Sequence, residues 1–156
     1  MNLITALANR IERDLIELQI VLDRIESAWQ HAERLNDDLY LDSVALNLHG
    51  FYSGLERIFE RIAETVDGSI PTGENWHHLL LTQMNQEIPT IRPAVISQNT
   101  LQRLDEFRGF RHVVRNVYTF HFDEAKLERL VMGAGETFTQ VKAEILAFAD
   151  FLDLQE

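Results

Sequence analysis

From Ile4 to Ala32 the apolar residues Ile4, Ala8, Ile11, Leu15, Leu18, Leu22, Ile25, Trp29 and Ala32 recur in alternating steps of four and three. That period is one face of an α-helix held for more than four heptads, so the stretch is a long helix with a single packed seam. A second helix is expected from Asp42 or Ser43, either a suitable N-cap, with Val44, Leu48, Phe51, Tyr52, Leu55, Phe59, Ile62 and Val66 facing inward and a stop at Asp67-Gly68.

The linker GSIPTGE leads to a short helix around NWHHLLLTQMNQE, and Pro89 and Pro93 make Ile88 to Ser97 an extended segment. Ser97 or Asn99 caps a third long helix through LQRLDEFRGFRHVVRNVY, packed by Leu101, Leu104, Phe107 and Val114. A break is expected between Thr119 and Phe122. Asp123 then caps a last helix carrying Leu127, Leu130, Val131, Phe138, Val141, Ile145, Phe148 and Leu152, which Gly133 and Gly135 are placed to kink. No stretch shows convincing period-two alternation. The expected architecture is all-α, an antiparallel up-down bundle of four to five helices, with residues 1–156 as one domain.

A chain of 156 residues can bury a core without covalent staples, and the absence of cysteine removes thiol catalysis, disulfides and cysteine-ligated zinc. Arg10, Glu12, Arg13 and Asp14 come too early for a signal peptide, and no apolar run approaches the roughly 18 residues of a membrane span. A soluble, cytoplasmic protein without a membrane partner is expected. The formal net charge of -11 argues against broad electrostatic binding of nucleic acid, DNA included, so any such contact has to be local.

One local feature runs against that charge. Arg108, Arg111 and Arg115 lie between Glu106 and Asp123 with no acidic residue among them, accompanied by His112 and His121. On a helix of about 100° per residue, Arg108, Arg115 and Tyr118 fall within about 60° of Arg111, while His112 and Asn116 form an adjacent pair four residues apart. Clustered guanidiniums repel one another unless acids or an anionic ligand stand opposite. A phosphate backbone supplies such an anion, and Arg grips it bidentately. Acidic residues of neighbouring helices supply the alternative, purely structural neutralisation.

Other constellations read as structure. Gly50 and Gly54 weaken the second helix by about 1 kcal/mol each relative to alanine, which close approach of another helix explains, and His49 beside them reads as a packed histidine. Glu74 and His77 have the spacing of a di-iron bundle motif, but no second copy exists, so no metal is expected. Gly133-Ala-Gly135 follows no strand and is not a nucleotide-binding turn. No cofactor is implied.

The arginine window resembles the HEPN domains, specifically the HepT-like ribonuclease toxins, whose hallmark is Arg, four residues, His, one residue, Tyr. Arg111, then HVVR, then Asn116, Val117 and Tyr118 follow that pattern, with Asn116 where the family has its catalytic His. Arg115-Asn116 followed by His121 is a second register; the first also places the Tyr. The segment LNLHGFYSGLERIFERIAE and the order of helices extend the resemblance over most of the chain.

The resemblance implies a metal-independent endoribonuclease acting on tRNA or other RNA, as the toxin of a bacterial toxin-antitoxin pair. It further implies a homodimer, and a nucleotidyltransferase antitoxin that attaches AMP to the motif tyrosine, Tyr118. Such cleavage needs fixed cations on the phosphoryl group, a role suited to Arg111 with Arg115 and Arg108, and proton transfer, the usual work of histidine. Asn116 cannot titrate, so His112 or His121 has to substitute for it. If neither does, the expectation becomes a non-cleaving HEPN module that binds RNA, a nucleotide or a partner protein through its arginine strip.

Overall fold

The computed structural model describes residues 2–116 and 122–155, without the side chains of Arg115 and Asn116. Five α-helices follow one another among these residues: α1 (Leu3–Leu35), α2 (Leu39–Ile62), α3 (Trp76–Met84), α4 (Gln98–Asn116) and α5 (Glu124–Leu154). The chain is all-α, as its periodicity requires.

Every seam residue of α1 from Ala8 onward is buried, and Asn2 opens the helix by accepting from the Thr5 amide at 2.8 Å. Asn36, in the left-handed region at φ 49°, closes it. The link over residues 36–38 is so short that α2 has to return along α1. α2 starts earlier than Asp42 because Asp37 Oδ1 accepts from the Leu39 amide at 3.0 Å and sets the first turn three residues sooner. A π-helical turn, Ala63–Asp67, extends α2 to Gly68, whose φ of 72° ends it.

α2 is the centre of the bundle and packs on each of the other four helices. Gly54 is what lets α1 approach: a Cβ there would lie 2.5 Å from Leu18 Cδ2. Gly50 has open space in the same place, so close approach accounts for one of the two glycines only. Phe51 reaches the far side, edge-on to Phe107 of α4 at 5.5 Å and Phe138 of α5 at 5.8 Å. Gly133 and Gly135 lie within α5 without interrupting it.

Two polar devices place α3 and α4. Ser97, rather than Asn99, caps α4, its Oγ accepting from the Thr100 amide at 3.2 Å. Glu144 of α5 then accepts from the Ser97 amide at 2.7 Å and from the Thr100 hydroxyl at 2.9 Å, setting a carboxylate against the positive end of α4. The segment expected to be extended instead turns back on itself: Ile88 and Arg92 exchange both backbone hydrogen bonds, at 2.9 and 3.0 Å, with Thr90 at φ 68°. The turn carries Arg92 inward, where its side chain is 0% exposed and donates to Asp67 at the end of α2. That pair ties the chain after α3 to the tip of α2 and fixes the height at which α3 lies across α2 and α4.

Candidate functional site

α2 carries a carboxylate in its interior. Glu56 lies one turn beyond Tyr52 and is only 4% exposed, between Leu55 and Ile58, which are fully buried. A charged group so far from water needs a partner with matching hydrogen bonds. α3 brings it: His77, in the first turn of α3, sets Nδ1 2.7 Å from Glu56 Oε2. The neighbouring Trp76 ring lies against the imidazole with centroids 3.7 Å apart, limiting its rotation.

The third helix completes the chain of contacts. Arg111 of α4 directs Nη1 at His77 Nε2 over 3.3 Å. A guanidinium can only donate, so Nε2 is the accepting nitrogen and the imidazole proton sits on Nδ1, where it donates to Glu56. Glu56, His77 and Arg111 thus join α2, α3 and α4, across sequence separations of 21 and 34 residues.

Arg111 is left with little else. Among the described residues its Nε is buried with no hydrogen-bond partner, and it pairs with no carboxylate. A buried donor in that condition costs roughly 1–3 kcal/mol, which an arriving acceptor would recover. Arg108, one turn earlier, is engaged: its Nε donates to Asp105 Oδ1 at 2.7 Å, and His78 Nδ1 stands 3.7 Å from the same oxygen.

These groups surround a cavity of about 400 Å³, with Arg108, Arg111 and His112 of α4 on one wall and Glu74, His77 and His78 on the other. The volume lies within the range of small-ligand sites. Burial, followed by the Glu56 carboxylate, holds the Tyr52 phenol well above the usual tyrosine range, against the opposing pull of Arg108 and Arg111, so Tyr52 stays protonated near neutral pH. Burial and then Glu56 also raise the Glu60 carboxyl above the ordinary carboxylate value, with His77, Arg57 and Arg61 acting against them. Among the described residues no group of three or more acids and histidines is placed to hold a metal ion.

The arrangement offers a guanidinium with an unused donor, an imidazole at the cavity wall and a buried carboxylate behind that imidazole. This is equipment for holding an anion and moving a proton beside it.

Of the residues singled out by sequence, the structure brings Arg108, Arg111 and His112 to one cavity. Arg115 and Asn116 occupy the last turn of α4, but their side chains lie outside the described residues, as do Tyr118 and His121 altogether. The arginine strip is free of acids in sequence but not in space, since Asp105, Glu56 and Glu74 face it from α4, α2 and the start of α3. Arg108 is neutralised structurally, while among the described residues Arg111 pairs with no carboxylate.

The sequence did not single out Glu56, and it offered His77 only as a metal-motif residue. The available signal was Glu56 itself, a carboxylate one turn from Tyr52 on a face otherwise filled by large apolar side chains.

A family model described as HepT-like protein matches residues 43–152, from the first turns of α2 to near the end of α5. Neither the curated proteins nor the solved structures contain a match to the chain.

Proposed function

The chain belongs to the HepT-like protein family, a HEPN-type family, and from that premise we propose that it is a metal-independent endoribonuclease that grips an RNA phosphate with Arg111. The observation that carries this reading is the condition of Arg111, a half-buried guanidinium at a cavity wall that, among the described residues, has a partnerless Nε and no ion pair with a carboxylate. A phosphodiester oxygen is the acceptor that geometry calls for, and a planar fork can take two of them.

In the reaction the ribose 2′-oxygen attacks the adjacent phosphorus and the P–O5′ bond breaks, giving a 2′,3′-cyclic phosphate and a 5′-hydroxyl. Charge builds on the nonbridging oxygens, and Arg111 is preorganised to meet it. By their sequence positions Arg108 and Arg115 are further candidates for contact with the strand, with tRNA as the proposed substrate class. The proposed biological setting is that of a toxin neutralised by a nucleotidyltransferase antitoxin. AMP on Tyr118, the tyrosine of the motif, would add an anion close in sequence to the same arginines. A homodimer would set two α4 helices against one RNA.

The test is cleavage of tRNA and total RNA by the purified chain and by Arg111→Ala. Loss of one preorganised donor should lower the rate about 100- to 1,000-fold while the helical circular dichroism is unchanged. Equal rates in the two proteins would remove Arg111 from the site. A wild type that binds RNA in a salt-dependent way and never cuts it would favour the non-cleaving module that Asn116 suggests.

A further inference from the structure

Within the ribonuclease reading, we infer that His77, held by Glu56, is the proton-transfer group of this site, and that it does from α3 what the asparagine in the α4 motif cannot. The motif position is Asn116, an amide that neither gains nor loses a proton near neutral pH. His77 lines the same cavity as Arg111, at hydrogen-bond range of it, and so within reach of a phosphate that Arg111 holds.

The contacts of His77 assign its two nitrogens. Nδ1 carries the proton and donates to Glu56 Oε2 at 2.7 Å, which leaves the lone pair on Nε2 directed at the cavity wall formed by Arg111. The Arg111 contact is the weaker of the two, 3.3 Å against 2.7 Å. A phosphate that accepts the Arg111 donors draws the guanidinium away from Nε2, so the anion that belongs in the cavity is also what frees the base. Nε2 then takes the proton of the 2′-hydroxyl as its oxygen bonds to phosphorus, and the imidazolium formed lies against the Glu56 carboxylate. The departing 5′-oxygen takes a proton from solvent, and His77 returns its own to solvent before the next turnover.

Glu56 is a positioning residue in this scheme. It is buried behind the imidazole, away from the substrate, where it sets the tautomer and compensates the charge that develops on the ring. Trp76, packed at a tilt of 31° against the imidazole, limits rotation of the ring. Among the other groups at the cavity, Tyr52 is kept protonated by burial and the His78 ring faces Asp105; His112 also lines the cavity, and cleavage at the wild-type rate by His77→Gln would leave the role to it.

The experiment compares wild type, His77→Gln, Glu56→Leu and Glu56→Gln in single-turnover cleavage of a short RNA, in binding of the 2′-deoxy analogue of that RNA, and in nitrogen-15 spectra of the His77 ring. His77→Gln should lose about 100- to 10,000-fold in rate while binding the analogue as wild type does. The wild-type spectrum should show Nδ1 protonated. Glu56→Leu should lose that tautomer and most of the rate together. Glu56→Gln keeps an oxygen able to accept from Nδ1 and should recover part of both. A His77→Gln protein that cleaves at the wild-type rate overturns this inference and leaves the ribonuclease reading standing. A wild type that binds the analogue but cleaves no RNA overturns both. Folding of each variant is checked by thermal melting, and should His77→Gln not fold, His77→Asn, which is smaller and keeps a donor near the Nδ1 position, takes its place with the same two outcomes.

Discussion

Arg92 and Arg111 are treated in opposite ways in this bundle. Arg92 is fully buried and uses every donor it has. Nε and Nη2 hold Asp67 at 2.6 and 2.8 Å, Nη1 donates to the Gln86 and Pro93 carbonyls, and Nη2 also reaches the Gln83 carbonyl. Five N–H groups meet five acceptors, the full capacity of a guanidinium. Arg111 meets one nitrogen of an imidazole and leaves Nε with nothing. The first arrangement is a staple, complete without any further molecule; the second is incomplete until an acceptor enters. Among the described residues Trp29 Nε1 and Ser53 Oγ are also buried without a partner, so what sets Arg111 apart is that its unpartnered donor belongs to a charged side chain on a cavity wall.

The comparison can be broken first at the staple. Arg92→Ala leaves the Asp67 side chain, 2% exposed, without its countercharge. The expected loss is about 3–5 kcal/mol of folding stability, read as a lower urea midpoint. Loss of less than about 1 kcal/mol would mean that Arg92 does not fasten the chain after α3, and that the position of His77 has another cause.

Arg111→Met is the matching change at the open site. Removing a guanidinium with a partnerless donor should leave stability unchanged or raise it by up to about 1 kcal/mol. If instead it cost as much as Arg92→Ala, the two arginines would be of one kind and the case for a vacant anion site would fail.

The smallest effect sharpens the electrostatics around Glu56. Glu60 has its carboxyl raised by burial and by Glu56, so the folded chain holds that proton more tightly than the unfolded chain does. Its ionised form is thus a liability of the folded state, absent at pH values below the ordinary 4.5 and present above it. Glu60→Gln should raise the melting temperature slightly at neutral pH, with the gain vanishing as the pH falls below that value. A gain of the same size at low pH would assign the effect to packing rather than charge.

Most of the helical layout was legible without coordinates. The four-three seam of α1, the inner face of α2 and the Asp123 cap of α5 are local properties of the chain, and local period is enough to reveal them. The departures arose where a distant residue intervened. The segment after Ile88 reads as extended because its prolines disfavour helix, but Arg92 is drawn in to Asp67, 25 residues earlier, and the chain closes into a turn to allow it. Gly50 and Gly54 are alike in sequence, yet only one of them faces Leu18.

The site divides along the same line. By itself the sequence determined that Arg108, Arg111 and His112 share one side of a helix, since 100° per residue leaves no choice, and that the Arg–Asn–Tyr pattern resembles one family. Asp105 lies within reach of Arg108 on the same helix by period alone; only the tertiary structure decided what stands against Arg111. Arg108 meets Asp105 on its own helix, while Arg111 meets the imidazole of His77 and, behind it, the carboxylate of Glu56. The reason is geometric. The direction of a side chain around its own helix follows from the period, but its partner depends on the rotation and axial offset of the facing helix. Those are set by the whole set of packed contacts, including Gly54 against Leu18 and Arg92 against Asp67, and appear in no single stretch of the chain.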